Sequence, residues 1–123
     1  ISIVADYVEW LTGEEALAAA REDGAIGQDE DLPGDFYIRN RNSELRTLDL
    51  SDDPVIVLQA CYPDDGPCLV RQAVDTATFD GLFADPENGY ELVGWWWYGT
   101  GHLPYWLTLD NGTVVQISEQ YLP

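Results

Sequence analysis

Tyr105-Trp106-Leu107-Thr108-Leu109-Asp110-Asn111-Gly112-Thr113-Val114-Val115-Gln116-Ile117 is the stretch that decides the fold class. Asn-Gly is the preferred pair for the centre of a type I′ turn, where both residues take positive φ, and apolar strands flank it here. A two-residue loop pairs Asp110 with Thr113. An uninterrupted ladder then sets Leu109 opposite Val114, Thr108 opposite Val115 and Trp106 opposite Ile117. In that register one sheet face carries Leu107, Leu109 and Val114, and the other carries Trp106, Thr108, Val115 and Ile117. Both faces are apolar, so the hairpin is expected to be covered on both sides, with Trp106 buried.

Immediately upstream lies the densest aromatic segment, Gly94-Trp95-Trp96-Trp97-Tyr98-Gly99-Thr100-Gly101-His102-Leu103-Pro104-Tyr105-Trp106. Consecutive side chains leave a strand on opposite faces. If residues 90–98 form a strand, Trp95 and Trp97 share one face while Trp96 and Tyr98 share the other. One pair serves the core. The other, with His102 and Tyr105, is the expected binding surface, in keeping with the weight that Trp and Tyr carry in interfaces. His102, alone in an aromatic loop, reads as a packing or hydrogen-bonding residue rather than a catalyst.

A second hairpin is expected around Cys61 and Cys68, which bracket Tyr62-Pro63-Asp64-Asp65-Gly66-Pro67. Pro presets φ, Asp closes local hydrogen bonds and Gly takes positive φ, so this is turn chemistry between two apolar runs. Cysteines facing each other across such a hairpin have a geometry that permits a disulfide. No CxxC and no nearby His suggests a metal or redox site. A structural disulfide in turn implies an oxidising compartment.

Outward from these hairpins, residues 1–11 read as a strand. Thr12-Gly13-Glu14-Glu15 has the spacing of a capping box, with Thr12 as N-cap and Glu15 reaching back. A short helix carrying Ala16, Leu17, Ala19 and Ala20 should follow and stop at Gly24. Residues 24–35 form an acidic loop that lacks the alternating carboxylates of a calcium loop. Residues 36–41 and 45–50 read as strands holding Arg39, Arg41 and Arg46. These three are either an anion clamp or partners for the chain's own acids. Thr76 or Thr78 is expected to cap a single helical turn that carries Phe79, Leu82 and Phe83 inward. A turn over Asp85-Pro86-Glu87-Asn88-Gly89 closes it.

The chain has 123 residues, 46 % of them hydrophobic, which is enough for one packed domain. Its 23 acids against five Arg and no Lys give a net charge of −18. Such a field repels nucleic acid and anionic lipid. It suits a cationic partner, or simply solubility. No apolar run reaches the ~20 residues that a membrane helix needs. A start at Ile1 rather than Met suggests removal of an upstream segment such as a signal peptide or lipid anchor. No nucleophile elbow, phosphate loop or zinc-protease motif occurs. No cofactor and no metal site is expected. A pair of carboxylates working as a glycan hydrolase is the enzymatic alternative.

Three stretches carry a resemblance. They are Val8-Glu9-Trp10-Leu11-Thr12-Gly13-Glu14-Glu15-Ala16, Phe36-Tyr37-Ile38-Arg39-Asn40 with Leu45-Arg46-Thr47-Leu48, and Tyr105-Trp106-Leu107-Thr108 through Ile117-Ser118-Glu119-Gln120-Tyr121-Leu122-Pro123. Together they resemble a group of small secreted or lipid-anchored proteins of actinobacteria and related Gram-positive bacteria. The resemblance implies an extracytoplasmic location and brings no chemistry with it. Cys61, Cys68 and the Trp95 to Tyr98 segment lie outside it.

The expectation is a single α+β domain, mostly antiparallel. Its preferred form is a small, partly closed OB-like barrel with one short helix, and an open antiparallel sheet with a packed helix is the alternative. The expected function is a non-catalytic extracytoplasmic interaction module that binds a protein partner through the aromatic surface, with cell-wall glycan binding as the alternative.

Overall fold

The computed structural model describes residues 2–41, 44–62, 70–99 and 103–122. It is α+β, with mostly antiparallel pairing and three short α-helices. The chain divides into two compact units, one comprising Val4–Thr47 and the other Ile1–Ile3 with Leu48–Leu122. Each is described by itself.

The expected first strand is split into β1 (Ser2–Asp6) and β2 (Glu9–Thr12). In the Val4–Thr47 unit, β2 pairs antiparallel with β3 (Phe36–Arg39), from Glu9 opposite Arg39 to Thr12 opposite Phe36. Trp10 and Phe36 stack with ring centroids 5.0 Å apart. Helix α1 (Gly13–Glu22) packs on this ribbon and buries Ala16, Ala19 and Ala20. Spacings of three and four put these small residues on one face, which lets the helix backbone approach the strands closely.

The capping box does not form. Thr12 sits at the N-cap in extended conformation, but its side chain makes no capping hydrogen bond. Gly13 turns through φ +61°, so the chain enters the helix through a left-handed kink that only Gly accommodates easily. At the other end the Gly24 stop is a complete Schellman motif. Gly24 has φ +72°, its N–H donates to Arg21 O at 3.2 Å, and Ala25 N–H donates to Ala20 O at 2.9 Å.

The larger unit is organised by β4 (Leu45–Cys61). The sheet order is β1-β4-β8-β7, where β7 is Tyr105–Asp110 and β8 is Thr113–Glu119. Strands β5 (Val70–Val74) and β6 (Trp96–Trp97) also pair with β4. The β4–β8 pair is parallel and the pairs β7–β8, β4–β5 and β4–β6 are antiparallel. Among the described residues no pairing joins β7 back to the far side of the sheet. No closed barrel is therefore found among the described residues.

Asn111 and Gly112 take φ +53° and +82°, as a type I′ turn requires, and Asp110 with Thr113 and Leu109 with Val114 pair as expected. Beyond them the ladder slips. Thr108 lies opposite Gln116, Leu107 opposite Ile117, Trp106 opposite Ser118 and Tyr105 opposite Glu119. Val115 is thus an extra residue, a β-bulge. It reverses the inside and outside of β8, so that Val114 and Ile117 are both buried although three positions apart. One face then takes the apolar residues, and Trp106, expected to be buried, is 51 % exposed.

Residues 90–98 do not form one strand. Helix α2 (Thr76–Ala84) leads through a 3-10 turn at Pro86–Asn88 into helix α3 (Gly89–Val93). Gly94, at φ +81°, ends α3 with its N–H donating to Tyr90 O at 2.7 Å, and only Trp96 and Trp97 extend. The α2 cap is Asp75, whose carboxylate accepts from Thr78 N–H at 2.8 Å, rather than either threonine. The core joins Leu50, Ile56, Leu58 and Ala60 of β4, Phe79 and Leu82 of α2, Trp95, and Val114 and Ile117 of β8.

Candidate functional site

The alternation expected in the tryptophan run survives the loss of the strand around it. Trp95 is 5 % exposed and belongs to the core, and Trp97 packs against it. Trp97 and Tyr105 flank the Phe83 ring at centroid distances of 5.4 and 6.2 Å. Trp96, between the two inward residues, is 56 % exposed and stacks on Tyr90 with centroids 4.5 Å apart. Tyr98 is half-buried. Of the expected surface, Trp96 is the exposed member among the described residues, and Tyr90 of α3 stacks on it. Tyr105 is half-buried and packs against the core, and His102 lies outside the described residues.

Sequence reading missed Glu119, which is fully buried. Strand β4 pairs with β8 as far as Val57 opposite Ser118, and with β6 from Ala60 opposite Trp97. Gln59 falls in the gap, where neither strand offers a carbonyl. The Glu119 carboxylate takes that place. Its Oε1 accepts the Gln59 backbone N–H at 2.7 Å and its Oε2 accepts the Tyr105 hydroxyl at 3.1 Å. Burial pushes the Glu119 pKa above the usual carboxylate range. The Gln59 N–H, the Tyr105 hydroxyl, the Trp97 side chain and the charge of Arg71 oppose that rise. The Trp97 indole N–H favours the carboxylate by proximity, yet it has no partner in hydrogen-bonding geometry. Burial likewise raises the pKa of Tyr105, and the charge of Glu119 and its hydrogen bond add to the effect. The only route to Glu119 from sequence ran through the Val115 bulge, because an unbroken ladder leaves Tyr105 one residue out of register with it.

The three expected clamp arginines are occupied within the Val4–Thr47 unit. Arg39, 9 % exposed, donates from Nε to Asp23 Oδ2 at 2.9 Å, and from Nη2 to Asp23 Oδ1 at 3.0 Å and Ala19 O at 3.1 Å. It therefore caps the C-terminal end of α1, where a cation is favoured. Arg41 donates to Glu22 Oε1 at 2.9 Å. Arg46 stands apart from both, 4.2 Å above the Tyr7 ring. Arg39 and Arg41 thus pair with Glu22 and Asp23, and Arg46 lies 4.0 Å from Glu44. The hydrogen bond from Arg39 holds the Asp23 carboxyl below its usual range, against a smaller opposing effect of burial.

Arg71 is different. Its Nη1 donates to Glu119 O at 3.1 Å and its Nη2 to Ser118 Oγ. Arg21, Arg39, Arg41 and Arg46 each lie within 4.0 Å of a carboxylate, while among the described residues Arg71 makes no ion pair.

Among the described residues no cysteine is a free thiol. Cys68, the expected partner of Cys61, lies outside them. Among the described residues no three His, Cys, Asp or Glu side chains converge as a metal site. Asp52, Asp53 and Asp75 line a shallow open depression with Pro54, Ala73 and Val74. No helix of the described residues is long and apolar enough to cross a membrane. No family model, curated protein or solved structure compared with the chain matches it.

Proposed function

We propose that the protein is a non-catalytic extracytoplasmic binding module whose ligand is another protein, engaged through Trp96. One observation carries this reading. Trp96 stays 56 % exposed while Trp95 is buried in the core and Trp97, half-buried, packs against it. Leaving so large an apolar ring in water forgoes burial worth ~25 cal/mol per Å². The Tyr90 ring behind it holds it in one orientation, which lowers the entropy lost when a partner docks. The net charge of −18 favours a cationic partner and argues against nucleic acid. A Cys61–Cys68 disulfide, in keeping with the oxidising compartment this function implies, is part of the proposal.

The test is selection from a phage-displayed library of random linear peptides, followed by fluorescence titration of synthetic copies of the winners. Binders are expected to lose at least tenfold in affinity for Trp96→Ala, with near-UV circular dichroism otherwise preserved. A library that yields nothing above a control protein of equal charge, or winners indifferent to Trp96→Ala, defeats the reading. Should soluble glycans, but no peptide, quench Trp96 fluorescence, the ligand class becomes carbohydrate.

A further inference from the structure

The β-pairing puts a particular set of side chains on the face of the sheet opposite the core. Alternation from the buried Ile56, Leu58 and Ile117 assigns Val55, Val57, Gln59 and Cys61 of β4 to that open face. Their cross-strand partners are Arg71 and Ala73 of β5, Gln116 and Ser118 of β8, and Trp96 of β6. Ser118 in turn faces Trp106. At the two ends of the face the side chains are open, Val55 being 53 % exposed, Trp106 51 % and Trp96 56 %, whereas Gln59, at the centre opposite Arg71, is 4 % exposed.

The composition of this face departs from that of the chain. None of the 23 acids lies among these positions, and its one charge is Arg71, which has no carboxylate partner among the described residues. The acids of the same unit stand around it. Asp49, Asp52 and Asp53 lie on β4 before Val55, Asp75 follows β5, and Asp110 ends β7, all exposed. An aromatic and Arg-bearing centre depleted of acids is the make-up of an interface core, and charged residues belong to its rim.

Building on the protein-binding reading above, we propose that the docking surface is this open face, running from Trp106 past Arg71 to Trp96. Its occupant is a basic protein with an apolar centre and a Lys- or Arg-bearing rim. The rows of Trp106 and Trp96 are four residues apart along β4, roughly 13 Å, which suits a protein epitope with two anchors. The acidic rim selects the sign of the partner's rim. A second copy of this chain is a poor occupant, because it would bring a further −18 against the same rim. A cationic side chain of the partner can stack on either tryptophan.

Peptides selected on the wild-type protein, winners on the Trp96 criterion included, distinguish this proposal from the one it rests on. The expected winners combine basic and aromatic residues. They should bind Trp106→Ala at least tenfold more weakly and Arg71→Gln several-fold more weakly, and Leu45→Ala, in the other unit, within twofold of wild type. Thr108→Arg places a cation beside Trp106 on an exposed position and should weaken binding at least tenfold, should Trp106→Ala disturb the fold. Peptides that need Trp96 but are indifferent to Trp106→Ala, Arg71→Gln and Thr108→Arg would overturn the open-face assignment while leaving the binding function standing. Winners without basic residues, or affinities unchanged between 50 mM and 500 mM salt, would overturn the basic partner.

Discussion

Glu119 and Asp23 are both carboxylates held by the fold, and they are held in opposite ways. Asp23 lies at the end of α1 with the Arg39 fork against it, partly in contact with solvent. Glu119 is fully buried, without a salt bridge among the described residues, and is held by a backbone N–H and a tyrosine hydroxyl. Pairing lowers the pKa of the first and burial raises that of the second. Two acids in one chain thus give stability opposite dependences on pH. The lesson is that in a protein with 23 acids the location of each carboxylate matters more than their number.

The contrast can be broken most forcefully at Glu119. Glu119→Ala leaves the Gln59 N–H and the Tyr105 hydroxyl buried without an acceptor, at ~1–3 kcal/mol each. A loss of about 3 kcal/mol or more is expected in urea unfolding, with a fall in Tm of about 10 °C or more. A loss below about 1 kcal/mol would mean that water reaches the gap. Glu119→Gln keeps an acceptor and should cost much less.

The pH dependence sharpens the comparison. A carboxyl whose folded pKa is raised binds its proton more tightly when folded, so its ionisation weakens the fold as pH rises from its unfolded value, near 4.5, through the folded value. Wild type should therefore gain more stability between pH 7 and pH 5 than Glu119→Gln does, and equal gains would refute the burial argument. Asp23 has the opposite sign. Its lowered pKa contributes stability that is complete above its unfolded value, near 3.8, and is lost as pH falls through the folded value. Arg39→Ala should remove that acid-side loss, with a drop in Tm at pH 7 smaller than that of Glu119→Ala.

The smallest effect concerns salt. The stability gap between wild type and Arg39→Ala should narrow as ionic strength rises, since a partly exposed pair is screened. The gap between wild type and Glu119→Gln should stay constant within error. If both narrow equally, Glu119 is in contact with solvent after all.

Local chemistry was the legible part of this fold. Asn111-Gly112 announced its turn and Gly24 its helix end, because positive φ has few suppliers. The Val115 bulge had no such marker, since Thr113-Val114-Val115-Gln116 reads as plain strand. Everything beyond it inherited the wrong face, including Trp106 and Glu119. Residues 90–93 are too short a run for periodicity to separate a turn of helix from a strand, and the packing of α3 beside α2 decides for helix. For the site, alternation set Trp95 with Trp97 and Trp96 with Tyr98 without saying which pair faces the core, and the fold buries Trp95 and leaves Trp96 exposed. The open face stayed invisible, because it is assembled by the pairing of four other strands with one another and with β6.

That single extra residue in β8 makes the strand a sentence written in two phases. Before Val115 odd positions look outward, and after it odd positions look inward. Removing one letter there would leave every word intact yet turn Ile117 and Glu119 toward solvent and Ser118 toward the core. The C-terminal strand therefore tolerates substitution at many positions far better than a change of length at one.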